Sequence, residues 1–245
     1  MPQPAAVLAP KRYQVLSGSA LKAIAVVSML IDHVAAHLLE ADPQMTTVLF
    51  TAGTIRVSWY FILRTIGRLA FPIYCFLLVE GFVYTHDRKR YGCNLLAFAL
   101  ISEVPFDLVR KLTVVDITYQ NVFWTLLLGY LGMYAYEKFA NRPALQATCV
   151  IGLALVSMGL LCDYGARGYA LILVLYWLRS NALAKTTIGC CMTLATWRAG
   201  LAFIPINLYN GQRGFVRNTI LKYAFYAFYP VHLLVLWQMR LHLGA

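Results

Sequence analysis

An acid and an imidazole stand side by side at Asp32 and His33, inside an apolar run from Ala20 to Leu39. An ionisable side chain at membrane depth is costly, so it is retained where it acts on protons, ions or substrates. Successive residues on a helix point about 100° apart, so these two do not pair with each other. Asp32 is left to bind a cation from a neighbouring helix, with Arg64 and Arg68 as candidates. His33 is left for general-base work. Lys22 precedes His33 by eleven residues, about 16 Å along a helix axis. That spacing sets a cation near the membrane's mouth and an imidazole past its midplane. The cation either snorkels to the headgroups or receives a phosphate-bearing ligand. His33 and His37 share a face, which is half a metal site. No H-E-x-x-H or convergent Cys/His set completes it, and no metal is expected.

Further ionisable groups fall in or at the ends of apolar runs: Arg64, Arg68, Glu80, Glu103, Asp107 and His232. Arg64 and Arg68 are four apart on one face, suited to an anion or to two carboxylates. Glu103 and Asp107 share a face in Ser102-Glu103-Val104-Pro105-Phe106-Asp107, where Pro105 interrupts the hydrogen-bond ladder. The plain alternative is an ion-pair network joining the Arg face to this acid face. His232 follows the aromatic run Phe228-Tyr229-Pro230-Val231 and is a second candidate imidazole. Tyr229 and its neighbours form either an interfacial belt or a pocket wall. Asn121 either caps the helix that it opens or binds a substrate amide.

The elements that must position these groups are membrane helices. Of 245 residues, 60% are hydrophobic and 13% charged, about half the charged fraction of soluble domains. The reading is an all-α, polytopic transmembrane bundle of about eight spanning helices. The apolar segments lie near 20–39, 66–85, 92–110, 121–139, 144–162, 167–180, 184–204 and 219–240. Continuous apolar runs argue against a β-barrel. Residues 46–63 read as an interfacial or re-entrant helix, or as the start of a long second helix. The chain reads as one domain, 1–245, with 1–17 a cytoplasmic segment and the first helix an uncleaved signal anchor.

The net charge is +11. The cations are spread through loops, which suits anionic lipid headgroups and not nucleic acid. Lys11-Arg12, Arg88-Lys89-Arg90, Lys138 with Arg142, and Arg179 with Lys185 alternate onto one side, taken as cytoplasmic. Arg110-Lys111 and Arg213-Arg217-Lys222 fall on the other, with both termini cytoplasmic. The six cysteines contain no C-x-x-C and read as buried hydrophobes.

In order along the chain, the motifs are Leu21-Lys22-Ala23-Ile24-Ala25 with Ile31-Asp32-His33, Arg64 to Pro72 with Glu80-Gly81-Phe82, and Ser102 to Asp107. They continue with Asn121-Val122-Phe123, Asp163-Tyr164-Gly165, Leu208-Tyr209-Asn210-Gly211 and Phe228 to His232. Together they resemble the TraX family, the F-pilin acetylation proteins, within the multi-pass membrane acyltransferases. The resemblance implies transfer of acetyl from acetyl-CoA to an amine, for the namesake the N-terminus of pilin, in a bacterial inner membrane. In the wider group a first-helix cation, usually Arg, stands eleven residues before a His; here it is Lys22. On this expectation His33 is the base and Asp32 orients the site. Arg64 and Arg68 hold charge in the cavity, Lys22 receives CoA phosphates, and His232 is a supporting or alternative base. Glu80, Glu103, Asp107, Asn121 and Tyr229 are further binding candidates. Two other classes compete. A proton-coupled transporter would use Asp32, Glu80 and Glu103 as its relay. An assembly factor without catalysis would tolerate loss of His33.

Overall fold

The computed structural model describes residues 11–216 and 218–243. α1 (Gly18–Val34) opens on Ser17, whose hydroxyl accepts the Ala20 amide, and runs on into a π-helical stretch, Ala35–Leu39. A short helix, α2 (Pro43–Thr46), leads to the antiparallel hairpin of β1 (Val48–Ala52) and β2 (Ile55–Ser58). Ser58 caps α3 (Trp59–Gly67), which meets α4 (Ala70–Tyr84) across a break at Arg68 and Leu69. Asp87 caps α5 (Arg88–Lys111), and Asn121 caps α6 (Val122–Lys138). α7 (Pro143–Gly159), α8 (Gly165–Trp177) and α9 (Ala182–Met192) follow. A 3-10 helix (Leu194–Ala202), α10 (Phe203–Asn207) and α11 (Thr219–Leu243) complete the chain.

The all-α reading holds. Among the described residues four stretches are long and apolar enough to cross a membrane: Gly18–Leu39, Trp59–Tyr84, Arg88–Lys111 and Thr219–Leu243. The other helices are shorter. Of the readings for 46–63, the long second helix is right from Trp59 onward. Residues 48–58 fold instead as a hairpin around Gly53, whose φ of +61° suits a residue without a Cβ.

The segment 184–204 does not run straight through. α9 descends, the 3-10 helix turns, and α10 returns, so that the Thr186 hydroxyl and the Asn207 amide bond each other at 2.9 Å. The following loop then bonds the chain's beginning: Gly18 N–H donates to Gln212 O at 2.8 Å, and Ser19 N–H to Arg213 O at 3.0 Å. α11 therefore starts beside the start of α1. It runs parallel to α5, with Tyr223 near Asn94 at one end and Arg240 Nη1 donating to Val109 O (2.8 Å) at the other.

Two expectations change as a result. Arg213 and Lys222 lie at the same end of the bundle as Lys11-Arg12 and Arg88-Lys89-Arg90, not opposite them; Arg217 lies outside the described residues. The N-terminal segment and the end of α11 lie at opposite ends, not together. The cause is the same in both cases: the segment does not continue as one helix after α9 but turns through the 3-10 helix and α10, back to the end that α9 left.

Candidate functional site

A cavity of about 710 Å³ runs between α1, α4, α5, α6 and α11. At the end where α1 and α11 begin it is lined by Lys22, Arg90, Arg213 and Lys222. Arg213 and Lys222 stand close enough to Lys22 for their charges to be felt there. Aromatic rings follow inward, among them Tyr74, Tyr226 and Tyr229, with Glu80 beside Tyr209. Deeper still the walls are His33, Asp32, Gly67, Asp163 and Tyr164. The sequence reading placed Lys22 and His33 on one helix; the fold makes them the two ends of one chamber.

His33 is backed by His232. Their Nδ1 and Nε2 atoms are 2.6 Å apart, with the rings nearly parallel. His232 Nδ1 lies 2.7 Å from Phe228 O. A carbonyl accepts and never donates, so Nδ1 of His232 carries its proton. With the ring neutral, Nε2 of His232 is then an acceptor and takes the Nδ1–H of His33. That leaves Nε2 of His33 as a bare lone pair, on the member of the pair that lines the cavity. His37, one turn on, places its ring 6.0 Å from that of His33. Among the described residues no three His, Cys, Asp or Glu side chains group to hold a metal.

Asp32 diverges from His33, as the helix geometry requires, though both line the chamber, and it pairs with Arg64 at 2.8 Å. The same guanidinium donates to Asp32 O at 3.2 Å. The pair is largely buried, 15% and 19% exposed at Asp32 and Arg64. The other carboxylate oxygen, Oδ1, is buried with no hydrogen-bond partner among the described residues. α3 approaches α1 this closely because residue 67 is Gly; a Cβ there would overlap the Asp32 side chain. Arg68 caps α3 and approaches Tyr164, and its charge is felt at both Asp32 and Asp163.

The alternative, an ion-pair network from the Arg face to Glu103 and Asp107, does not form. Glu103 accepts from Asn121 (2.5 Å) and Trp124 (2.8 Å), binding α5 to α6. Asn121 also donates to Ala99 O and accepts the Phe123 amide, so it caps α6 and does not line the cavity. Asp107 accepts the Asp116 amide at 2.7 Å and so braces the loop after α5. In place of these acids, the Arg face meets Asp32 and Asp163. Asp163 and Tyr164 stood among the ordered motifs, yet a lone acid in a short connection carries no periodic signal of a site. Burial pushes the Asp163 carboxyl up to about 6, partly countered by the Tyr119 hydroxyl, which donates to it at 2.9 Å.

Fold and site together define an integral-membrane helical protein whose cation-lined chamber leads to a part-buried histidine pair. The chain belongs to the TraX family: the family model, described as TraX protein, matches residues 17–240. It is also 29% identical, over a 255-residue alignment covering 91% of this chain and 95% of the other, to a probable fimbrial assembly protein, FimC of serogroup H1, from Dichelobacter nodosus. No solved structure matches the chain.

Proposed function

We propose that this protein is an acetyltransferase of the bacterial inner membrane, moving acetyl from acetyl-CoA to an amine on a pilin-like protein. The observation that carries the reading is the single chamber joining four cations at one end to the lone pair of His33 at the other. Lys22, Arg90, Arg213 and Lys222 suit the phosphates of an elongated polyanionic donor. The rings beyond them suit its less polar arm. His33 takes a proton at Nε2 as the amine nitrogen attacks the thioester carbon. His232 accepts the Nδ1–H of His33 throughout and holds its tautomer. The proton then passes to the departing sulfur as the carbon–sulfur bond breaks. Asp32, bound to Arg64, fixes the end of α1 and hence the ring of His33. In this reading His232 positions the base and is not itself the base. Pilin as acceptor is supported by the family's association with pilin and by the fimbrial name of the relative.

The transporter reading needs Asp32, Glu80 and Glu103 in one relay. They are instead held apart, by Arg64, beside Tyr209, and by Asn121 with Trp124. The test is incubation of purified protein with labelled acetyl-CoA and amine acceptors, following free CoA and the labelled product. His33→Ala should lower the rate by about 10²–10⁴, the usual share of a general base. Unchanged turnover in that variant refutes the base assignment.

A further inference from the structure

Asp163 lines the deep end of the chamber, and the mechanism above leaves it without a role. It sits in the connection between α7 and α8, at the end of the bundle away from the basic mouth. The connection is built to hold it. Leu161 (φ 50°), Tyr164 (φ 66°) and Gly165 (φ 46°) all adopt left-handed backbone, a strained arrangement for the two side-chain-bearing residues. Asp163 N–H donates to Gln120 O at 2.9 Å, and its carbonyl accepts from the Thr125 hydroxyl. Tyr164 stacks on Phe71, ring centres 3.5 Å apart. For all this, the carboxylate takes hydrogen bonds only from the Tyr119 hydroxyl and the Tyr164 amide among the described residues; the charge of Arg68 reaches it, but no contact ion pair forms. Arg68, Asp32, Tyr119, Cys162, Tyr164 and Tyr229 are the titratable groups around it among the described residues. Tyr229 stands near both it and His33, with its ring 6.1 Å from that of His33. Across the same chamber Asp32 Oδ1 is a second acceptor with no partner. A carboxylate held rigidly in a cavity, with Arg68 nearby but in no contact ion pair with it, is suited to a cationic ligand.

We infer that Asp163 is the residue that recognises the acceptor, binding the ammonium form of a primary amine and delivering it to His33. This rests on the acyl-transfer reading. Two protons leave the ammonium nitrogen. The first passes to the Asp163 carboxylate and on to solvent, which frees the nitrogen's lone pair. The second goes to His33 as the carbon–nitrogen bond forms, and then to the departing sulfur.

The experiment compares two acceptors at neutral pH in the purified full-length protein. One is a tripeptide amide with a charged N-terminus; the other is hydroxylamine, which is uncharged there. Asp163→Asn should raise KM for the peptide by about tenfold or more, the worth of a hydrogen bond to a charged group, with hydroxylamine turnover within about twofold of wild type. Asp163→Glu, which keeps the charge, should recover part of the peptide KM. Equal loss with both acceptors, or no loss with either, overturns the inference. Wild-type protein that releases CoA to neither acceptor overturns the acyl-transfer reading itself, and is distinguished by failing before any variant is compared.

Discussion

At the scale of residues, the pair Asp32-His33 acquires two separate partners, and the separation has a measurable consequence. His232 faces His33 through a bond whose polarity is set by Phe228 O. Replacing His232 by Leu removes the acceptor for the Nδ1–H of His33 and frees the ring to adopt the wrong tautomer. Under the acyl-transfer proposal, turnover should fall by about ten- to a hundredfold, less than on loss of His33, with KM for acetyl-CoA nearly unchanged. A large rise in that KM with an unchanged kcat would instead put His232 in donor binding. Gln at 232 offers a carbonyl acceptor and should restore part of the rate, which loss of packing alone would not allow. The separation of Asp32 from His33 was legible in the sequence, because adjacent helical residues diverge whatever surrounds them. So was an arginine partner for Asp32. The His33–His232 bond was not legible, since it joins residues 199 positions apart and depends on α11 starting beside α1.

At the scale of elements, the connection after α5 shows how a polar network holds an apolar loop. Val114, Val115 and Ile117 are exposed, Ile117 by 82%. The loop keeps its shape through Asp116, whose carboxylate meets Arg110, Lys111 and the Thr118 hydroxyl, while its amide is held by Asp107. Lys111 and Thr118 hold the Asp116 carboxyl well below the usual range. A carboxyl depressed in the folded state favours folding when ionised. Its contribution is therefore complete above the ordinary aspartate pKa of about 4 and fades as pH falls below it. Amide exchange across residues 112–120 should be slow at neutral pH and accelerate in acid beyond the intrinsic rate. In Asp116→Asn it should be fast at both. Equal protection in wild type and variant at neutral pH would show that the ion pairs do not hold the loop. The sequence placed Glu103 and Asp107 on one helix face correctly, but the Arg-face network that it offered as one alternative for them is not the one that forms. Spacing gives a side chain's direction on its own helix; it does not say which helix lies opposite. The hairpin at 48–58 escaped for a related reason: five exposed residues in β1 leave no alternation to read.

At the scale of the whole molecule, charge and connectivity agree once the segment 184–204 is seen to double back. The apolar segments themselves were plain in the sequence, because continuous hydrophobicity is a local property. Their parity was not, because a returning pair and a single span have similar composition. Among the described residues, the elements that run from one end of the bundle to the other are α1, α3 with α4, α5, α6, α7, α8 and α11, an odd number, and four of these runs are long and apolar enough to span a membrane. Contacts between neighbours fix the alternation: Gln146 at the start of α7 donates to Tyr136 O near the end of α6, and Gln120 bridges Cys162 at the far end. Returning Arg213 and Lys222 to the N-terminal end strengthens the charge bias that sets orientation, with Arg110 and Lys111 across from them already engaged by Asp116. The same end carries the cationic mouth of the chamber, so under the acyl-transfer proposal the donor is met on the side where the positive charge lies. In sealed vesicles of known orientation, tags on the two termini should therefore be cleaved from opposite sides by an impermeant protease, the N-terminal tag from the side facing the basic loops. Cleavage of both tags from one side would mean an even number of crossings. It would require α9 and α10 to span the membrane between them, breaking the Thr186–Asn207 pair and the bonds from Gly18 and Ser19 to the loop before α11.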